Sequence, residues 1–280
     1  MGSGPLIAPL QDKRRPAATI LGVPFDSTHT YRPGTRFGPS AIREAFNNIE
    51  IFHPDIRVDL EETYIEDLGD MTHTVNAQEM LDMVGKVTSE LAKDRNQIVM
   101  MGGEHLITYG AYAQFPRGTG YVVFDAHYDL RDSFAGTRLG HATYLRRVAE
   151  QCGSDGIIHV GARAFVGEEV AYLKESKIRT VTDHDIRTGD GPRLLRDAIS
   201  VFDNLYVSLD LDVLDPAYAP GVGNPEAVGI TSRELMDMIH AIKDARIVSA
   251  DIVELNPQYD NGATAAIAAK IMSYIIAANV

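Results

Sequence analysis

Val122-Val123-Phe124-Asp125-Ala126-His127-Tyr128-Asp129 is an apolar run that opens directly onto two carboxylates and an imidazole. In an extended strand, the i, i+2, i+4 spacing puts Asp125, His127 and Asp129 on one face. Oxygen and nitrogen donors gathered so closely suggest a metal. Short apolar runs of the same kind recur at Ala18–Val23, Ile98–Gly102, Tyr121–Asp125, Ile157–Gly161, Arg179–Thr182, Leu205–Asp210 and Ile247–Val253, with helix-period segments between them. That alternation predicts an α/β fold with a mainly parallel sheet.

Two helices carry start signals. Asn76 with Glu79 opens a helix to Asp94, and Thr231 with Glu234 precedes one over Leu235–Ala245. The run Ala263–Val280 is interrupted by Thr264, Lys270, Ser273 and Asn279, so it reads as a buried amphipathic helix and not a membrane span. Residues 1–16 lack signal-peptide order and read as a flexible or cloning-derived start. No low-complexity linker or repeat divides the chain, so residues 1–280 are expected to form one domain.

Composition narrows the chemistry. The 280 residues are 45% hydrophobic, enough for a sizeable core. Acidic residues number 39 against 26 basic ones, for a net charge of −13. That balance argues against a nucleic-acid partner and is compatible with a cationic substrate or bound cations. The single cysteine, Cys152, excludes an internal disulfide framework and fits a cytoplasmic location. Any metal must therefore be held by His, Asp and Glu.

Three further stretches supply such donors. Ile98–Gly102 runs into Gly103-Glu104-His105, where the glycines let the backbone turn and approach something closely. Leu205–Asp210 ends in same-face carboxylates, Asp210 and Asp212, which repel unless a cation compensates them. The loop Asp26–Pro39 follows a strand end and holds three polar candidates, His29, Arg32 and Arg36; by itself it reads as a surface turn. His53 and His73 lack partners at metal-ligand spacing and read as surface histidines.

Parallel strands present their C-terminal ends along one edge. His105, His127, Asp125, Asp129, Asp210 and Asp212 would meet there as two imidazoles and four carboxylates. Four negative charges balance two divalent ions. With Asp125 and Asp210 each bridging, the ions would lie roughly 3.5–4 Å apart with a shared hydroxide between them. Hard oxygen donors with one His per ion suit Mn²⁺, although other divalent transition metals would bind the same set.

The motifs Gly102–His105 (GGEH), Asp125–Asp129 (DAHYD), Gly140–Arg147 (GHATYLRR), Ser208–Glu226 and Ser249–Pro257 resemble those of the ureohydrolases, the arginases, agmatinases and related guanidino hydrolases. YRPGTRFGP (Tyr31–Pro39) looks most like the agmatinase branch. The resemblance implies a three-layer α/β/α fold around the sheet, as in arginases, and a cytoplasmic homo-oligomer, a trimer or hexamer. It also implies one Mn²⁺ on His105, Asp125, Asp129 and Asp210 and a second on His127, Asp125, Asp210 and Asp212. His141 matches the family's proton shuttle, and Glu254 its guanidinium-binding carboxylate, with Asp251 three residues before it. A bend or strand end is expected between those two acids. The reaction implied is hydrolysis of agmatine to putrescine and urea, a step of polyamine biosynthesis.

Some positions depart from the family's pattern: Glu104 for a common Asp, Leu106 for Ser, Ala142 for Gly, and Asn224 for Thr beside the substrate pocket. Arg131, two residues past Asp129, either meets an acidic substrate tail or pairs with Asp132 or another acid and faces away. Guanidinobutyrate, arginine and aminopropylagmatine therefore stay open as substrates. Two-metal phosphoester hydrolysis would use similar ligands, but the chain has no P-loop or clear phosphate-binding basic cluster. The non-enzyme alternative is a regulatory subunit that has kept the fold.

Overall fold

The computed structural model describes residues 15–94 and 96–280; apart from Arg15 and Pro16, the expected N-terminal tail lies outside them. Strands β1 (Ala18–Val23), β2 (Phe52–His53), β3 (Val58–Asp59), β4 (Ile65–Asp70), β5 (Gln97–Gly102), β6 (Gly120–Phe124), β7 (Ile157–Val160), β8 (Arg179–Val181), β9 (Leu205–Asp210) and β10 (Ile247–Val253) follow one another along the chain. Strands β2 and β3 form a small antiparallel pair. The other eight make one sheet in the order β4-β1-β5-β10-β9-β6-β7-β8, and every adjacent pair in it is parallel.

Seven of these eight strands fall within one residue of the runs read from the sequence. The eighth, β4, has the sequence IEDLGD and no apolar run to reveal it. It lies at the sheet edge, where one side needs no partner and charge guards against further pairing. Arg43 reaches across to it, with Nε 2.9 Å from Asp67 Oδ2 and Nη1 bonded to Asp70.

Helices α1 (Gly38–Phe46), α2 (Ala77–Leu91), α3 (Ile107–Tyr112), α4 (Tyr144–Cys152), α5 (Gly167–Glu175), α6 (Asp183–Arg187), α7 (Gly191–Ile199), α8 (Ser232–Ala241) and α9 (Ala263–Ala277) cover both sheet faces. Along β6, Tyr121 and Val123 pack on the side of α2, α3 and α4, while Val122 and Phe124 pack on the side of α1, α7, α8 and α9. Both faces are therefore buried, which is why the central strands read as unbroken apolar runs. Each large side chain so buried contributes about 1.5–3 kcal/mol. The result is a three-layer α/β/α sandwich.

The start signals are used as read. Asn76 accepts the Glu79 N–H at 3.1 Å, and Thr231 and Glu234 close a reciprocal capping box. Two expectations need correction. Helix α9 is not amphipathic, since eleven of its fifteen residues are buried. His53 is not on the surface: it is 3% exposed beneath α9, with Nε2 3.1 Å from Ser273 Oγ. No local pattern could reveal a contact made 220 residues away. Among the described residues, no helix is long and apolar enough to cross a membrane.

The order β5-β10-β9-β6 sets the stage for the site. These four neighbours are the strands whose C-terminal ends lead into Gly103–His105, Glu254, Asp210–Asp212 and Asp125–Asp129. Sequence-distant donors thus meet at one sheet edge.

Candidate metal centre

His105 enters the site through a turn that only glycine permits. A Cβ on Gly103 would lie 1.9 Å from the Phe25 carbonyl oxygen. The turn is held by Gly103 N–H donating to Val23 O (2.9 Å) and Glu104 N–H donating to Phe25 O (2.7 Å). His105 then stacks on Tyr144 with ring centroids 4.1 Å apart.

Strand β6 stops at Phe124, so the five-residue motif after it is not an extended same-face strand as expected. Asp125 follows directly, its Oδ1 accepting the His127 N–H at 2.6 Å. The chain then reverses through Asp129, whose φ is 52°. A left-handed aspartate stores on the order of 1–3 kcal/mol of strain, a cost typical of functional sites. Its consequence is to bring Asp129 Oδ2 within 3.8 Å of His105 Nδ1.

Two donor clusters result. His105 Nδ1 lies 3.1 Å from Asp125 Oδ2 and 3.1 Å from Asp210 Oδ2. His127 Nδ1 lies 3.0 Å from Asp212 Oδ2 and 3.6 Å from Asp125 Oδ1. Asp125 therefore turns one oxygen to each imidazole. Asp210 turns Oδ2 to the first cluster, and its Oδ1 accepts the Asp212 N–H at 2.8 Å.

The chemistry of these donors fits a pair of divalent cations. His105 Nδ1 and Asp125 Oδ2 are buried without a hydrogen-bond partner, which costs about 1–3 kcal/mol for each group unless something binds there. All four carboxylates are at most 7% exposed. Burial, with the neighbouring Asp212 and Asp125 charges, pushes the Asp210 carboxyl well above its usual range. Burial and Asp125 do the same to Asp129. A cation removes both penalties.

The bracing of these donors centres on Asp251, an acid that sequence pattern places only by its spacing from Glu254. Behind β9, Ser208 Oγ donates to Asp251 Oδ1 at 2.5 Å, and Asp251 Oδ2 accepts from Tyr206 (2.5 Å) and Thr108 (2.9 Å). Arg163 donates to the carbonyls of Asp212, Val213 and Leu214 and to those of Glu226 and Ala227, tying the Asp212 turn to the Asn224 loop.

A cavity of about 390 Å³ opens over the clusters. His127, Asp129, Asp210 and Asp212 form its floor, and Glu254, His141, Arg131 and Asn224 stand in its walls. Glu254 follows β10 at φ 68°, so the chain leaves the strand between Asp251 and Glu254. Its Oε1 accepts the His105 N–H at 2.9 Å. Burial alone would raise this carboxyl, but His29, with Nε2 2.6 Å from Oε2, takes it below the usual range. His141 is pushed down to about 4 by burial. Arg131 does not pair with Asp132: its guanidinium lies 4.6 Å above the Phe134 ring, while Asp132 bonds Arg147 and Arg138.

The first loop is better connected than a surface turn. The His29 side chain is wholly buried, and Thr28 gives its N–H (2.8 Å) and its hydroxyl to buried Glu104. Arg32 lies outside the cavity wall, 4.7 Å from the Tyr259 ring, and Arg36 sits 3.4 Å from Asp26.

Known proteins point the same way. Residues 16–278 match the model of the arginase family. The chain is 37% identical to an agmatinase of Bacillus anthracis over 89% of its own length and 87% of that protein's. It is 34% identical to the N(1)-aminopropylagmatine ureohydrolase of Thermococcus kodakarensis, covering 96% and 93%. The crystal structure of the agmatine ureohydrolase of Thermoplasma volcanium superposes with a TM-score of 0.90 at 33% identity, covering 94% of this chain and 90% of that one. With sheet order, strand-end carboxylates and relatives in agreement, the chain belongs to the arginase family and is an agmatinase-like ureohydrolase that hydrolyses guanidino groups.

Proposed function

We propose that this ureohydrolase uses two Mn²⁺ ions to hydrolyse agmatine to putrescine and urea. The observation that carries the reading is one cavity in which Glu254 faces the His105 and His127 clusters. His105, Asp125, Asp129 and Asp210 would hold one ion and His127, Asp125, Asp210 and Asp212 the other. When bound, such a pair supplies a water acidified to near neutrality. Oxygen-rich ligands with a single imidazole per ion suit manganese.

The chain's own residues do the rest. Glu254, held ionised, binds the planar guanidinium through paired charge-assisted hydrogen bonds and sets its carbon over the metal floor. His141 is neutral at pH 7, so it would accept the proton that the attacking water loses and pass it to the leaving amine. Glu226, in the same wall, offers a carboxylate to the far ammonium of agmatine. Agmatinase-like wording across the motifs favours this substrate, and the single, half-buried Cys152 suits a cytoplasmic enzyme. The family resemblance supports a homo-oligomer, a trimer or hexamer.

Arg131 in the cavity wall supports a second reading, a guanidino acid whose carboxylate meets that cation. Urea release from agmatine, guanidinobutyrate and arginine after Mn²⁺ loading separates the two. Agmatine should be the best substrate. A preference for guanidinobutyrate that Arg131→Ala abolishes would replace it with the second reading. Full activity of Asp129→Asn would show the ligand assignment to be wrong.

A further inference from the structure

His29 stands behind the cavity and not in it. Two of its neighbours, Glu254 and His141, face the cavity, whereas the His29 side chain is wholly buried and absent from the lining. It touches both. Nε2 lies 2.6 Å from Glu254 Oε2, and its ring stacks on that of His141 with centroids 5.0 Å apart and planes 6° from parallel.

The ring has no room to move. On one side is His141; on another is Gly223, where a Cβ would fall 2.1 Å from His29 Cε1 and 2.5 Å from Nε2. The backbone on either side is pinned as well. Thr28 is bonded to Glu104, Asp26 Oδ2 accepts the Gly34 N–H at 2.8 Å, and Asn256 Nδ2 donates to the Arg32 and Pro33 carbonyls at 2.9 and 3.1 Å. Thr28 and Thr30 hydroxyls each lie 3.4 Å from a nitrogen of the His141 ring. Three consecutive residues thus support both groups that would meet a substrate.

We propose that His29 is a positioning residue, clamping the Glu254 carboxylate from behind and bracing the His141 ring, so that the guanidinium meets a preoriented receptor. The inference rests on Glu254 being that receptor. Each carboxylate oxygen has two acceptor sites. With Oε1 taking the His105 N–H and Oε2 taking His29, each oxygen keeps one site for the substrate, and the plane of the group is fixed before binding. The groups facing His29 are Glu254 beyond β10, Glu104 beyond β5, Asp26 of its own loop and the His141 imidazole. Burial disfavours charge on His29, but Glu254 outweighs it and holds the imidazolium up to about 9. The pair is therefore ionised at neutral pH.

The test compares His29→Leu, which removes the donor, with His29→Gln, which keeps a donor at similar reach. Both are loaded with Mn²⁺ and checked for melting temperature and metal content. Misorienting a binding group can cost about 100-fold in rate. His29→Leu should lose about that much kcat/KM, and His29→Gln should recover at least a tenth of the wild-type value at equal metal content. Wild-type kcat/KM in His29→Leu overturns the proposal, as does equal loss in both variants in proportion to lost folded protein. Imidazole NMR reads the clamp without turnover: the His29 ring should titrate near pH 9 and fall towards its ordinary range in Glu254→Gln. A His29 titration unchanged by Glu254→Gln also overturns it. If the wild type releases no urea from any guanidine while the NMR response is present, the functional reading fails and the clamp stands.

Discussion

His105 Nε2 lies 2.8 Å from the Ser208 hydroxyl, and this contact fixes which nitrogen of the ring faces the metal site. Ser208 has one proton and gives it to Asp251 Oδ1. Its oxygen must then accept from His105 Nε2–H, which leaves Nδ1 as the lone-pair donor towards Asp125 and Asp210. Partners of this kind typically hold about 10–100-fold of metal affinity. Ser208→Ala should therefore weaken Mn²⁺ binding by that factor with little change in fold. Metal titration by calorimetry, with the circular dichroism spectrum as control, checks it; unchanged affinity would mean that the ring is oriented by Tyr144 stacking alone.

Removing metal should cost stability as well as activity. Among the described residues, the four buried carboxylates have only two imidazoles beside them at the cavity floor, and an ion that binds only the folded state stabilises it by about 2.7 kcal/mol at 100 times its Kd. Chelation should lower the melting temperature, and Mn²⁺ should restore it in proportion to the logarithm of its concentration. Asp125→Asn should blunt that response more than Asp129→Asn, because Asp125 turns an oxygen to each imidazole. Equal responses in the two variants would remove Asp125 from its shared position.

Arg163 is the next lever. Its guanidinium collects five carbonyls from the Asp212 turn and the 226–227 segment, and a Cβ on Gly229 would come within 2.6 Å of its Nη2. Lysine cannot reproduce that planar fork. Arg163→Lys and Arg163→Ala should both lower the melting temperature and raise KM, because the loop bearing Asn224 loses its anchor. Unfolding curves and steady-state kinetics give the two readouts, and a variant with wild-type KM would show that the loop is held from elsewhere.

What the sequence could reveal follows from what made each element. Buried parallel strands need apolar runs on both faces, so β5, β6, β9 and β10 were legible, along with the acids and imidazoles that interrupt them at one edge. Strand β4 was not, because an edge strand built on Glu66, Asp67 and Asp70 obeys no apolar rule. Periodicity in an extended strand gathers the candidate donors on one face, yet the backbone delivers Asp129 through a left-handed turn that no periodicity encodes. His29 was visible only as a loop residue: its partners Glu254 and Gly223 lie about two hundred positions further on. The nearest available sign was Gly223 itself, a residue with no side chain next to Asn224.

His53 supplies a prediction about pH that is independent of the metal. Burial pushes its ring down to about 4, with the Lys270 charge acting in the same direction. In the unfolded chain the imidazole returns to about 6.5. Between pH 6.5 and 4 the unfolded state therefore binds the extra proton, so unfolding is favoured as pH falls and stability rises with pH across that window. The contribution is present in full above about 6.5 and is lost on acidification, amounting to on the order of 1–3 kcal/mol at pH 4. His141 and His159 are displaced downwards by burial too and steepen the same limb, so the discriminating quantity is a difference between proteins. His53→Gln keeps a polar group near Ser273 but cannot take up a proton. Melting temperatures from pH 8 to 4 should fall less steeply for His53→Gln than for the wild type, with the two curves converging towards the acid end. Parallel curves would mean that His53 keeps an ordinary pKa beneath α9.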